Sequence, residues 1–392
     1  METNNEPLGE QPIGKLLLKF SIPAIVGAMV NSVYNLVDRF YVGKLGSLAM
    51  TGIGLNIPFM TLITAFSFLI GIGASSMISI RMGENRKDDA EKILGNSFSL
   101  LAILMLFVTV IGLVFKVPIL NLFGASEATI GYGSEYITII LYGTIFQGVA
   151  LGINNIIRAE GFPTRSMLTM LLGTVLNIIL DPIFIFTFDM GISGAAWATI
   201  ISQFVSSAWV IGHFIRGKGA LKFHIRNLLP SWAVFKEVAS IGMAPFLIQF
   251  ASVLVSILMN NGLKTYGGDL AIGAMTVINS VMLLFFTPAS GITQGAQPII
   301  GFNYGAKQYD RVRKNQAIGK ARKATVLSLL RQVILFIPAL VIMPSLWGLN
   351  GVWLSAPIPD IISCTVAGYV VIKELKNLSK METGGTAIEG AR

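Results

Sequence analysis

Long apolar runs separated by short polar clusters repeat along the whole chain, and five of them contain no Lys, Arg, Asp or Glu: Leu45 to Ile80, Ile93 to Phe115, Met190 to Ile215, Leu270 to Ala306 and Gln332 to Pro359. Each can cross a hydrocarbon core, which takes roughly 20 apolar residues in a helix, and the longest exceed one crossing. The pattern predicts ten spanning helices at 16–41, 49–80, 95–115, 132–157, 166–188, 192–215, 238–262, 270–300, 324–344 and 348–372. This is the signature of an all-α integral membrane protein with the lipid bilayer as its main partner.

Composition agrees: 53% of the 392 residues are hydrophobic and 12% charged, against roughly 25% charged in soluble domains. A net charge of +9 would fit nucleic acid, but its distribution follows the membrane instead. Threading the ten spans with both ends on one side leaves only Arg39, Lys44, Lys116 and Lys264 of the 29 basic residues on the far side. Excess Lys and Arg mark the cytoplasmic face, so a cell-membrane protein with both termini cytoplasmic is expected, with no nucleic-acid partner. The first apolar run, from Leu16, lacks a small-residue cleavage site and is expected to remain as the first span. Cys364, the sole cysteine, can form no internal disulfide and reads as a small side chain in an apolar run.

Sliding the chain on itself exposes an internal repeat. A shift of 222 residues superposes Pro23 on Pro245, Gly46, Leu48 and Ala49 on Gly268, Leu270 and Ala271, Gly73 and Ala74 on Gly295 and Ala296, and Gly83 and Asp88 on Gly305 and Asp310. Further on the shift falls to 158 for Ala159 and Gly161 with Ala317 and Gly319, and to 157 for Gly191 and Gly194 with Gly348 and Gly351. The second copy is thus about 64 residues shorter, the length of two helices, and the counterpart of residues 91–157 is missing between Arg313 and Gln316. The expected organisation is an N-terminal tail at 1–15, a six-helix lobe at 16–215, a basic linker at 216–237, a four-helix lobe at 238–374 and a C-terminal tail at 375–392. Parallel repeats of this kind pack transporters around a central substrate site.

Ionisable residues inside spans are costly and so are functional candidates. Asp38 lies in the outer part of the first span, with Arg39 expected to point elsewhere, to the outer interface. Asp181 is isolated in a charge-free stretch, with Asn177 one helical turn before it on the same face and Pro182 after it. Proline has no N–H and frees a nearby carbonyl, so this spot could hold a proton or a small hard cation. Thr199 could add a hydroxyl oxygen. Gln147, Asn154, Asn155, Gln203, Gln249, Asn260, Asn261, Asn279, Gln294 and Gln297 could line a polar cavity or simply join helices. The 16 Met and 24 Phe would suit a flat organic cation without locating its site. There is no P-loop and no paired-His metal motif, and His213 and His224 both fall near the cytoplasmic interface. No enzymatic activity is expected, and an ion gradient is the expected energy source.

Several of these motifs occur in order along the chain: Ser21-Ile-Pro23-Ala, Asn35-Leu-Val-Asp38-Arg-Phe-Tyr-Val-Gly43, Gly83-Glu-Asn-Arg-Lys-Asp88, Arg158-Ala-Glu-Gly161 and Asn177-Ile-Ile-Leu-Asp181-Pro182. Together they resemble the multidrug and toxic compound extrusion (MATE) exporters, over nearly the whole chain. The resemblance implies two six-helix bundles enclosing a V-shaped cavity, export of small organic cations by antiport with H+ or Na+, no cofactor, and a monomer. It also implies an ion-coupling site, with Na+ as a possible occupant, at Asp38, Asn177, Asp181 and Thr199. The substrate-binding residues stay unassigned. The chain departs from the family's twelve-helix pattern by the two helices missing from its second half. That keeps two alternatives open: a lipid-linked oligosaccharide flippase of related fold, and an inactive or scaffold paralogue.

Overall fold

The computed structural model describes residues 6–216, 219–316, 330–363 and 365–366. Cys364, the expected repeat positions Ala317 and Gly319, and the tail at 375–392 lie outside the described residues.

The described chain is helical and contains no strand. Its main elements are α1 (Ile13–Gly43), α2 (Ser47–Gly83), α3 (Lys87–Val114), α4 (Ile130–Tyr142), α5 (Thr144–Ala159), α6 (Pro163–Thr187), α7 (Gly191–Ile215), α8 (Trp232–Gly305), α9 (Tyr309–Gln316) and α10 (Arg331–Leu354). Helices α4 and α5 form one crossing bent by 65°.

Helix α8 runs for 74 residues, about 110 Å if straight, against a hydrocarbon core of about 30 Å. It reverses at Gly268, where φ is 69° and ψ −171°, a conformation open to glycine. Helix α10 breaks in the same way at Gly348, φ 57°; helix resumes beyond it to Leu354 and, after a turn at 355–356, again over 357–363. Splitting α8 and α10 at these glycines and counting α4–α5 as one gives the ten crossings expected from the hydropathy pattern.

The breaks repeat with the sequence. Gly46 has φ 116° where Gly268 has 69°, and Gly191 has φ 55° where Gly348 has 57°. Two residues without glycine's freedom obey the same spacing: Asn85, φ 59°, and Lys307, φ 58°. Helix α9 begins at Tyr309, 222 residues after the start of α3 at Lys87.

Helix α2 and the second half of α8 run side by side and meet at both ends. Near Ser47 the repeat-equivalent residues Thr51 and Gly273 face each other, as do Gly54 and Thr276. At the other end Gly301 packs on Ser79, a Cβ on Gly83 would collide with the Phe302 carbonyl oxygen, and one on Gly305 with that of Ile80. Since 80 and 302, like 83 and 305, are equivalent positions, these last contacts are mirror copies. Hydrogen bonds reinforce both ends. Thr51 donates to the Asp269 carbonyl at 2.8 Å, and Ser126 to the Asp269 carboxylate at 2.8 Å. Arg81 pairs with Glu237 at 3.3 Å, and Gln297 donates to Ser76 at 2.6 Å. The V-shaped opening implied by the family resemblance is therefore not the conformation seen: small residues let the two helices close on each other at both faces.

The segment between α7 and α8 is strapped to the face that carries the start of α1 and the end of α2. Glu160, just beyond α5, accepts from the Leu221 N–H at 3.0 Å and lies 2.9 Å from His213 Nε2. Glu91 accepts from the Lys222 N–H at 2.9 Å and lies 3.0 Å from His224 Nε2. The chain's two histidines thus serve the two carboxylates that hold this segment.

Candidate ion-coupling site

Helices α1, α6 and α7 bring the four expected coupling residues into one buried cluster, toward the face opposite the strap. Asp38 is 3% exposed, Asn177 2%, Asp181 0% and Thr199 7%, so all four are shielded from bulk solvent. On α6 the one-turn spacing does what the sequence suggests: Asn177 Nδ2 donates to Asp181 Oδ1 at 3.2 Å. Pro182 cannot donate to the carbonyl one turn back, and the helix widens into a π turn at Ile183–Thr187 directly after it. On α7 the Thr199 hydroxyl donates to the Ala195 carbonyl at 2.9 Å, leaving its oxygen free to accept.

Three buried acceptors have no partner here: Asp38 Oδ1, Asn177 Oδ1 and Asp181 Oδ2. Leaving such atoms unpaired is costly. Two carboxylates, an amide and a hydroxyl form a set of hard oxygen donors, suited to H+ or Na+ rather than to softer metals.

Arg39 corrects the sequence expectation. Rather than reaching the outer interface, its guanidinium turns back onto the carboxylate of Asp38, with only 12% of the side chain exposed. Neighbouring Cα atoms point apart on a helix, but the long arginine arm spans that angle and the buried carboxylate draws it in. Two tyrosines escaped the sequence reading. The Tyr34 hydroxyl lies 3.4 Å from that of Thr199, and both Tyr34 and Tyr136 lie within electrostatic reach of Asp38 and Asp181. Tyr34 stands one turn before Asp38, so the same spacing rule that linked Asn177 to Asp181 could have found it; Tyr136, on α4, carried no such signal.

Four of the ten other intramembrane amides join helices, among them Gln297, which donates to Ser76. Gln294 accepts from Arg158 at 2.8 Å, Asn154 donates to the Ser166 carbonyl at 3.1 Å, and Asn261 to that of Leu122 at 2.8 Å. Asn260 and Asn279 line a cavity of about 80 Å³ with Met259, Met275, Thr276 and Phe336. That is well below the roughly 300–1,000 Å³ of small-molecule pockets.

Residues 23–183 and 243–349 match the MatE family, two stretches that together make up most of the chain. The chain belongs to the MatE family. Among its curated relatives, the multidrug export protein MepA of Staphylococcus haemolyticus is 30% identical over 298 residues, which span 75% of this chain and 65% of that protein. MepA of Staphylococcus aureus strain MRSA252 is 25% identical over 447 positions, covering 97% of this chain and 98% of the relative. An alignment of 447 positions exceeds the 392 residues available here, so the relative carries residues this MatE chain lacks. The solved MATE multidrug transporter DinF-BH superposes with a TM-score of 0.85 at 32% identity, over 95% of this chain and 98% of the other.

Proposed function

We propose that this chain is a secondary active exporter of small organic cations at the cell membrane, driven by the return of H+ or Na+ through the cluster of Asp38, Asn177, Asp181 and Thr199. The reading takes residues 16–215 and 238–374 as two lobes joined by the linker at 216–237, with both termini cytoplasmic and the chain acting as a monomer. Its main support is the set of buried oxygens on Asp38, Asn177 and Asp181 that no donor satisfies, a set that invites a proton or a small hard cation into the cluster. The multidrug export named for the MepA relatives supports the choice of cargo.

Moving one positive charge outward against 100 mV costs about 2.3 kcal/mol, so an inward-moving cation is the natural driver. In the ion-free state Arg39 neutralises Asp38. An incoming cation takes its place there, draws Asp181 and Asn177 around it, and so couples α1 to α6. Cargo passes between the lobes when one of the two closed ends of the α2–α8 seam parts.

The test is efflux of a fluorescent organic cation from cells producing the chain, beside an equally expressed Asp181→Asn variant. Gradient-dependent efflux that disappears in the variant is the expected result. Equal efflux from both would remove Asp181 from coupling, and none from either would favour the non-transporting alternative.

A further inference from the structure

We propose that the strap between α7 and α8 is a binding surface for anionic phospholipid headgroups. Its depth can be read against α3, to which it is bonded along its length. Lys222 and His224 sit at the level of Glu91. Asn227 accepts from Asn96 Nδ2 at 3.0 Å, Leu228 from Ser99, and the Ser231 N–H donates to Asn96 Oδ1 at 2.6 Å. From Glu91 to Ser99 the helix rises about 12 Å, and the charge-free run of α3 begins between them, at Ile93. The strap therefore descends from the level of the last charged residues to the edge of the hydrocarbon.

Its outward side chains match that depth. Ile225 is 80% exposed, Leu229 77% and Trp232 67%, and the bonds to α3 hold the backbone so that these groups cannot fold inward. Three large apolar groups fixed outward make a poor surface for water and a good one for the boundary of headgroups and acyl chains, where Trp is enriched. Exposed Lys222, Arg226 and Lys236 accompany them, and among the described residues none of the three is in an ion pair. Lys236 Nζ stands 5.6 Å from the Trp232 ring centre. Three of the nearby acids are already engaged, Glu91 and Glu160 with the strap's amides and the histidines and Glu237 with Arg81, which leaves exposed Asp88 against the three basic side chains. The free charge on this surface is positive, and phosphate-bearing anionic lipid is the partner that satisfies both halves of it.

The experiment uses the full chain in nanodiscs of phosphatidylcholine with or without phosphatidylglycerol. With Cys364→Ser as background, a fluorophore on Leu229→Cys should be quenched by lipid carrying a nitroxide near its headgroup and shielded from aqueous iodide. Dominant quenching by iodide would make the strap a solvent loop and overturn the proposal. Native mass spectrometry should find phosphatidylglycerol retained over phosphatidylcholine, with about a fivefold loss of that preference for each charge removed by Lys222→Gln, Arg226→Gln or Lys236→Gln. Arg226→Lys should keep it. No preference for the anionic lipid, or one that survives all three glutamine changes together, would also overturn the proposal. Neither readout depends on transport, so the outcome is independent of the export reading.

Discussion

Asn177 gives its Nδ2 hydrogen to Oδ1 of Asp181 across 3.2 Å, and this bond decides which oxygens of the pair stay free. Asn177 Oδ1 and Asp181 Oδ2, like Asp38 Oδ1 on α1, are left with no donor. If one ion bridges the three, losing either carboxylate removes the same interaction. Asp38→Asn and Asp181→Asn should each abolish gradient-driven efflux, and the double variant should be no worse than the more damaging single one, because residues acting as a unit are not additive. Independent, multiplying losses in efflux rate would separate the two carboxylates.

Arg39 competes with any incoming cation for Asp38. Arg39→Gln should therefore tighten apparent affinity for the coupling ion by about tenfold, the equivalent of one charge-assisted hydrogen bond of about 1.5 kcal/mol. Half-maximal ion concentration for efflux is the readout; an unchanged value would reduce the Arg39 contact to local pairing.

The α2–α8 seam predicts opposite outcomes for two glycine substitutions. A Cβ at Gly83 strikes the backbone of Phe302, whereas one at Gly212 meets nothing within 4 Å. Gly83→Ala should lower stability by about 1–3 kcal/mol, as overpacking does, and Gly212→Ala, in the last turn of α7, should raise it by about 0.5 kcal/mol. Melting of the purified protein in detergent compares them, and equal melting temperatures would contradict the tight seam.

Burial raises the carboxyl of Glu160 above the ordinary glutamate range, against the opposing pull of His213, the Leu221 N–H and Lys87. The folded state thus keeps this proton to a higher pH than the unfolded chain. The resulting stabilisation is complete below the ordinary range and is lost as pH rises through the folded value. Melting temperature measured upward from acid pH should carry this decline in the wild type and lose it in Glu160→Gln; parallel curves would mean that Glu160 contributes no such dependence.

The crossings and the repeat were legible because both rest on local signals: charge-free length for the first and glycine spacing for the second. Asp181 and Asn177 were legible for the same reason, one turn apart on one helix. The position of Arg39 was not, since a long flexible side chain follows its electrostatic partner rather than the direction of its Cα. Tyr136 joins the site only through the packing of α4 on α7, and the strap's anchors, Glu91 and Glu160, meet their histidines across 133 and 53 residues of chain. The closed seam was hidden too, because the sequence shows where the glycines are and not what faces them.

At the seam near Ser47, threonine and glycine have traded places between the copies: Thr51 meets Gly273, and Gly54 meets Thr276. Two identical halves could not reproduce this. They would set threonine against threonine at one position and glycine against glycine at the next, a clash beside a void. Each half has become the mould of the other, so neither can pair with its own duplicate as it pairs here. The fit commits each half to a partner unlike itself, however similar their helices remain.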